Sequence, residues 1–387
     1  MTRPLRVLHC LWDGGVGGME RAVWLLVREQ LRDPELEPTL LFAKESGAYA
    51  ERARESGCPI IDLRLPNGHA LTRVRKAASQ MQGFDIHHFH TPDPLLMLAS
   101  SLCRGTRRVY TNRGGYLDYG LGKRFKHRIA SLMLRAWFDG FSGNTAHGAD
   151  AGAAIYGIPR DRFHVTYNGI EGTDLAPVRD ADDVRAELGL APGEFVVGTS
   201  ANLKAWKRID LLIRAVAALE DTSVRLLIVG DGVDRERLES VVDEVALRRR
   251  VIFTGLVLRV PDYLQAMDVF CLPSNASESF GNSSVEAMFL GLPTIVFADS
   301  GGMREHIEHG VTGFVVADVQ ELTDLLARLR SDSTLRSELG ARARASAEAR
   351  YEPSRAAAAY RELYASVLPQ DGEAANGAVP LVDAAAP

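Results

Sequence analysis

The sequence predicts an α/β protein made of two units, each a parallel sheet with helices on both faces. Two observations carry the prediction. Short apolar runs of strand length alternate with helix-period segments along almost the whole chain, as parallel βαβ units require. A polar, aperiodic stretch from Glu171 to Asp183 divides the alternation in two, which places an interdomain linker there. A length of 387 residues, with 46% hydrophobic and 25% charged residues, is ordinary for a globular chain of two or three domains.

The first unit opens with an apolar run, Leu5 to Trp12, followed by the loop Asp13-Gly14-Gly15-Val16-Gly17-Gly18. A helix pattern starts at Met19. A glycine loop after a first strand lets a phosphate or sugar lie against backbone. The same loop can equally be a flexible turn, and it is not GxGxxG. Further strand-like runs follow at Pro38–Ala43, Pro59–Leu63, Phe84–His90, Arg108–Asn112, Gly140–Gly143 and Phe163–Tyr167. Three histidines, His87, His88 and His90, crowd the end of the fourth strand. Metal binding is one reading, but no carboxylate or cysteine at ligand spacing accompanies them. Lining or capping a cleft is the other, with His90 as the pocket residue. Asn168-Gly169 is a turn signal near the end of the unit.

The second unit begins near Phe195. Its strand-like runs are Val196–Ser200, Val224–Val229, Val251–Thr254, Asp268–Ser274, Thr294–Phe297 and Gly310–Val316. Leu322 to Tyr351 reads as helical. Pro353, in a first-turn position, opens a last helix through Leu368. Residues 369–387 have no aromatic or basic residue and are expected to be disordered.

The most informative stretch is ESFGNSSVEAMFLGLP, residues 278–293. Strand, Gly/Ser/Asn loop and helix start follow one another. The first N–H groups of a helix lack internal partners and sit at the positive end of its dipole, so an anion is favoured there. Gly281 allows close backbone approach, and Ser283 or Ser284 adds a hydroxyl donor. Glu278 precedes the loop and faces the pocket. Glu286, a turn into the helix, is suited to accept hydrogen bonds from a diol.

The string Glu278, seven residues, Glu286, Ala-Met-x-x-Gly-x-Pro, then Gly301-Gly302-Met303-Arg304-Glu305, resembles the nucleotide-sugar signature of the retaining family 4 glycosyltransferases. The resemblance runs from Arg6 to Leu368 and is strongest in the second unit. It implies the GT-B architecture: two Rossmann-like, doubly wound domains facing a cleft. The implied boundaries are 1–178 for an acceptor-binding domain, 179–352 for a nucleotide-sugar domain, 353–368 for a helix crossing back, and 369–387 for the tail.

The resemblance also assigns roles. Gly-Gly-x-Glu-Arg at Gly17, Gly18 and Glu20 is similar to the family's first loop, which faces donor and acceptor. Glu278 resembles the carboxylate held near the donor sugar, and Glu286 the ribose ligand. Ser279, Phe280, Gly281, Asn282 and Ser283 form the phosphate loop. Lys207 matches the family's lysine, which holds the leaving diphosphate in place of a metal. Asn202 stands where an arginine is usual, so Lys204 or Arg208 supplies the second positive charge. Gly230 ends a family string, and Leu256 and Val257 resemble the main-chain base-recognition segment. Asn112 and Arg113 stand where many members carry a histidine near the reacting sugar; Arg113 is either a ligand for a phosphate or acidic acceptor or a surface turn residue. Catalytic roles fall to Glu278, Lys207 and Arg113, acceptor contacts to Glu20, His90, Asn112 and Arg113. No metal or cofactor is implied beyond the nucleoside diphosphate sugar. Surface-polysaccharide or lipid-linked glycan synthesis is the family's usual business.

A net charge of −5 gives no pull toward nucleic acid. Cys10, Cys58, Cys103 and Cys271 are scattered and read as reduced, which suits a cytoplasmic protein. No signal peptide or membrane span is evident. Residues 101–140 carry nine Lys and Arg against two Asp and Glu. Within them, Lys123–Phe138 forms an amphipathic helix pattern. Such a helix either meets an anionic membrane or is the solvated face of a core helix. Two rival functions remain at this level: an epimerase of the same architecture, and a non-catalytic sugar-nucleotide-binding protein. A dinucleotide oxidoreductase is disfavoured by the missing GxGxxG.

Overall fold

The computed structural model describes residues 3–12, 15, 17–44, 47–65, 69–114 and 121–369. Residues 370–387 of the expected tail, part of the first glycine loop, and the side chains of Lys123, Arg124, Phe125 and Lys126 in the basic segment lie outside the described residues.

The first domain carries strands β1 (Leu5–Leu11), β2 (Leu36–Phe42), β3 (Ile60–Asp62), β4 (Ile86–Phe89), β5 (Arg107–Asn112), β6 (Gly140–Gly143) and β7 (Phe163–Val165). Between them run helices α1 (Gly18–Gln30), α2 (Ala48–Glu55), α3 (Ala70–Met81), α4 (Pro94–Ser101), α5 (Leu121–Trp137) and α6 (Ala146–Tyr156). The second domain carries β8 (Phe195–Ser200), β9 (Val224–Val229), β10 (Val251–Gly255), β11 (Val269–Leu272), β12 (Thr294–Phe297) and β13 (Gly313–Val316). Its helices are α7 (Ala181–Glu187), α8 (Ile209–Ala218), α9 (Arg235–Glu244), α10 (Val260–Leu264), α11 (Asn282–Phe289), α12 (Val319–Ser331) and α13 (Ser333–Tyr351). A last helix, α14 (Pro353–Val367), follows.

All strand pairs in both sheets are parallel. Strands such as β8, β9 and β11 are apolar almost throughout, as they must be when helices cover both faces. The first sheet runs β3-β2-β1-β4-β5-β6-β7, the second β10-β9-β8-β11-β12-β13. In each, strand order reverses at one place: between β1 and β4, and between β8 and β11. Ligands of open α/β sheets bind beyond the carboxyl ends at such switch points. The loops that follow β1, β4, β8 and β11 carry Gly17, His90, Lys207 and Glu278, so the sequence candidates gather at two switch points that meet across the domain boundary.

Helix α14 ends the chain on the first domain. Tyr360, Leu363 and Tyr364 pack against Val7, Leu26, Ile86 and Val109. Arg361 adds a charged edge with Asp33. The expected single helix 322–351 is two. Asp332 breaks it, because its carboxylate accepts the Leu335 amide at 2.8 Å and starts α13 instead. The expected linker is partly ordered: Asp180 caps α7, and the Val178 amide reaches Asp262.

Candidate active site

The loop that carries Glu278 is fixed by close backbone packing. Strand β11 ends at Leu272, and the chain turns through 273–280 into α11. Gly281, the N-cap of α11, has φ 73°, and a Cβ there would lie 2.5 Å from Met303. A Cβ on Gly302 would run into the Ser279 carbonyl. Glycine is needed at both positions because the 301–306 turn presses on the loop. His306 lies beneath, buried. Its Nε2 donates to the Phe280 carbonyl at 2.7 Å, and its Nδ1 accepts from the Tyr351 hydroxyl at 2.7 Å. Burial lowers its pKa to about 3, so the ring stays neutral and the tautomer is fixed. The ring of Phe280 rests 4.6 Å from that of His306. Ser284 folds back on the Gly281 carbonyl, and Ser283 stays partly buried in the first turn.

Lys207 and Glu278 form an ion pair beside this loop, with only 11% and 12% of their side chains exposed. Trp206 covers Lys207, its ring centroid 4.5 Å from Nζ. The Ser274 hydroxyl donates to Glu278 at 3.4 Å. Arg208 is differently placed from its expected role. Its guanidinium holds Asp299 and the carbonyls of Pro273 and Ser274, bracing the end of β11. Lys204 and Asn202 are exposed on the same loop. Gly230 pairs with Gly255 (amide to carbonyl, 3.0 Å), which brings the turn after β9 beside the Leu256–Val257 segment. Leu256 is 85% exposed.

The first domain closes onto this loop. Asn282 donates to the Gly18 carbonyl at 3.1 Å and accepts from Asn168 at 3.0 Å. Arg113 in turn donates to Asn168 at 2.6 Å. Arg21, on the first turn of α1, forms an ion pair with Glu286. Glu20 folds over Gly17. At the N-terminus of α6, Thr145 accepts the Gly148 amide and donates its own proton to the Ser279 carbonyl. The Ser279 hydroxyl bonds Asn144. Glu305, from the second domain, accepts the amides of Ala146 and His147 at 2.9 and 2.8 Å and the Tyr167 hydroxyl at 3.1 Å. One domain thus caps a helix of the other.

Strand alternation separates the three crowded histidines. His87 points away, toward Ser100 and the Met81 carbonyl. His88 and His90 join His9, and their nitrogens lie within 4.8 Å of one another. All six ring nitrogens of the trio are hydrogen-bonded: His9 to His90 and Gln30, His88 to Tyr364 and Thr111, His90 also to Arg113. Burial lowers the pKa of His9 to about 4 and holds His88 and His90 well below the usual value. A metal would have to displace these partners beside the Arg113 cation, so the donor set does not fit one. Asn112 is buried, its amide engaged by the Gly114 and Gly148 carbonyls.

Two family models match in tandem: Glycosyltransferase Family 4 over residues 16–172 and Glycosyl transferases group 1 over residues 180–346. The chain belongs to the family 4, group 1 glycosyltransferases. It is 34% identical over 230 residues to a D-inositol 3-phosphate glycosyltransferase of Nocardia farcinica, covering 56% of this chain and 50% of that one. It is 31% identical over 196 residues to an N-acetyl-α-D-glucosaminyl L-malate synthase of Bacillus anthracis, covering 50% and 51%. The chain thus spans about half the length of these curated relatives. A putative glycosyltransferase of Bacillus subtilis, EpsF, aligns over 79% of this chain and 82% of its own at 27% identity. The crystal structure of Anabaena HepE with UDP superposes with a TM-score of 0.81 at 24% identity, over 94% of this chain and 100% of that one. The two-domain GT-B architecture is shared.

The structure adds residues to which the sequence reading gave no role. Arg21 closes the Gly-Gly-x-Glu-Arg string. Asn168 was visible only as a turn former. Glu305 ends the Gly301–Glu305 string, and its partners are 158 and 159 residues away in sequence. His9 carries no local signal at all.

Proposed function

We propose that this chain transfers a sugar from a nucleoside diphosphate sugar to a hydroxyl acceptor, with retention at the anomeric carbon and without a metal ion. The observation that carries the reading is the Lys207–Glu278 pair set beside the N-terminus of α11, with Glu286 one turn further on. As the glycosidic C–O bond breaks, charge grows on the β-phosphate. Lys207 and the positive end of the α11 dipole are fixed positive groups where that charge develops. Glu286 accepts from the ribose diol. Glu278, held by Lys207 and Ser274, orients the sugar rather than attacking it. The acceptor oxygen bonds to the anomeric carbon on the face the phosphate leaves, and its proton passes to the departing phosphate oxygen.

The solved HepE complexes with UDP and UDP-glucose support a uridine nucleotide as the first donor to test. The names of the relatives support a role in building glycans or small glycosides. Four buried free cysteines favour a reducing compartment, the cytoplasm. Among the described residues no helix is long and apolar enough to cross a membrane. Peripheral membrane contact belongs to the same proposal. Leu98, Leu102 and Leu132 stand 41%, 51% and 65% exposed on the α4–α5 side, near Arg104, Arg128 and Arg135. Binding to anionic vesicles that survives Leu132→Asp with Arg128→Glu removes that part.

The deciding test is thermal stabilisation by a panel of nucleotides and sugar nucleotides with EDTA present. A shift with one nucleoside diphosphate, larger with one of its sugars, is expected. No shift across the panel overturns the reading; a shift that requires Mg²⁺ or Mn²⁺ overturns its metal-free part.

A further inference from the structure

Four cations of the cleft region each hold a carboxylate: Arg21 with Glu286, Arg28 with Glu171, Lys207 with Glu278 and Arg208 with Asp299. Arg113 is different. Its three protein partners are all neutral: His90 Nδ1 at 3.2 Å, Asn168 Oδ1 at 2.6 Å and the Tyr360 hydroxyl at 3.2 Å. Among the described residues it forms no ion pair. A guanidinium has five N–H groups, so one on each terminal nitrogen has no partner among the described residues.

The protein also holds this guanidinium still. Arginine only donates, so His90 Nδ1 must accept. The neutral ring then donates from Nε2 to His9 Nδ1, 3.0 Å away, and His9 donates from Nε2 to Gln30 at 2.7 Å. Gln30 continues to Tyr364, Tyr364 to His88, and His88 to Thr111. A one-directional run of donors through buried groups of β1, α1, α14, β4 and β5 therefore starts at Arg113 and holds it from behind. Its position, between His90 on the first domain and Asn168–Asn282 at the donor loop, borders both halves of the cleft. A partly buried cation with no counter-charge among the described residues, immobilised by neutral partners, is built to receive an anion.

We infer that Arg113 is the specificity group of the acceptor site and selects acceptors that carry an oxyanion, a phosphate or a carboxylate. The inference deepens the glycosyltransferase reading and names its acceptor class.

The test uses the full chain with saturating nucleoside diphosphate, whichever one stabilises it, so that the donor phosphate site is filled. Glucose 6-phosphate, glucuronate and glucose are then titrated, with phosphatidic acid vesicles as the lipid arm. Wild type should bind the charged sugars at least ~10-fold tighter than glucose. Arg113→Gln should lose that preference while keeping its nucleotide response, and Arg113→Lys should recover part of it. Arg113-dependent binding to the vesicles alone assigns the oxyanion to a lipid headgroup and supports the inference. Equal binding of glucose and the charged sugars, with no vesicle response, overturns it. So does a nucleotide response that falls in Arg113→Gln as far as the charged-sugar response, since Arg113 then serves the donor. If no nucleotide stabilises the protein but glucose 6-phosphate does so through Arg113, the anion site stands and the glycosyltransferase reading falls.

Discussion

Replacing Glu305 by alanine removes a helix cap that one domain lends to the other. The carboxylate takes two amides from the first turn of α6 and the Tyr167 hydroxyl, all within 3.1 Å. A hydrogen bond to a charged group at a partly exposed site contributes roughly 1 kcal/mol, and a negative charge at a helix N-terminus adds roughly 0.5 kcal/mol. Water partly replaces these contacts in the variant, so the expected loss is about 2 kcal/mol. For domains of this size that lowers the melting temperature by roughly 4–8 °C. The loss should appear as uncoupling. Calorimetry of wild type should show closely overlapping transitions, and Glu305→Ala should separate them. Hydrogen exchange should quicken at the amides of Ala146 and His147 and leave those of β9 unchanged. Glu305→Gln, which keeps one acceptor oxygen, should recover about half. A variant melting within ~1 °C of wild type, with unchanged exchange at those two amides, refutes the idea that the cap joins the domains.

Three further outcomes follow from the same geometry. Lys207→Ala should lower kcat by about 10²–10³ through loss of the charge opposite the leaving phosphate; Glu278→Gln with wild-type turnover would remove the pair from the mechanism. Gly281→Ala places a methyl 2.5 Å from Met303 in a left-handed backbone, costing at least about 1–2 kcal/mol, and should raise the donor KM by displacing the α11 N-terminus; an unchanged KM argues against that terminus as the phosphate site. Stability should fall steeply in acid. His9, His87 and His306 have pKa values lowered by burial to about 4, 4 and 3, and His88 and His90 lie well below normal. The unfolded chain takes up these protons near pH 6.5 and the folded chain does not, so each group's contribution is full above pH 6.5 and declines as pH drops toward the folded value. The slope is about 1.4 kcal/mol per pH unit for each histidine. Denaturant titrations at pH 7.5, 6.5 and 5.5 should show a loss over the first interval and one roughly three times larger over the second; a level profile would sink this account.

Much of the molecule was legible in its order of residues. Buried parallel strands announce themselves as apolar runs, because helices on both faces leave no polar side, and so β8, β9, β11 and β12 were placed to within a residue or two. The stretch from Glu278 to Glu286 marked the passage from loop to helix, since the left-handed N-cap of α11 needs glycine. Where the reading slipped, local competition was the cause. Asp332 interrupts a helical stretch because its carboxylate satisfies the next helix's amides better than a continued helix would.

Sequence by itself determined the two parallel α/β units, the polarity of their strands and the start of α11, because these depend on periodicity and on contacts between neighbours in the chain. It could not show that Arg21 meets Glu286, that Glu305 caps α6, or that His9 completes a buried relay with His90. Those pairs are separated by 265, 159 and 81 positions. No local pattern encodes such a meeting. It arises only when β1 and β4 lie side by side in one sheet and the two domains close on each other, because groups so far apart in the chain can bond only once the fold has brought them together.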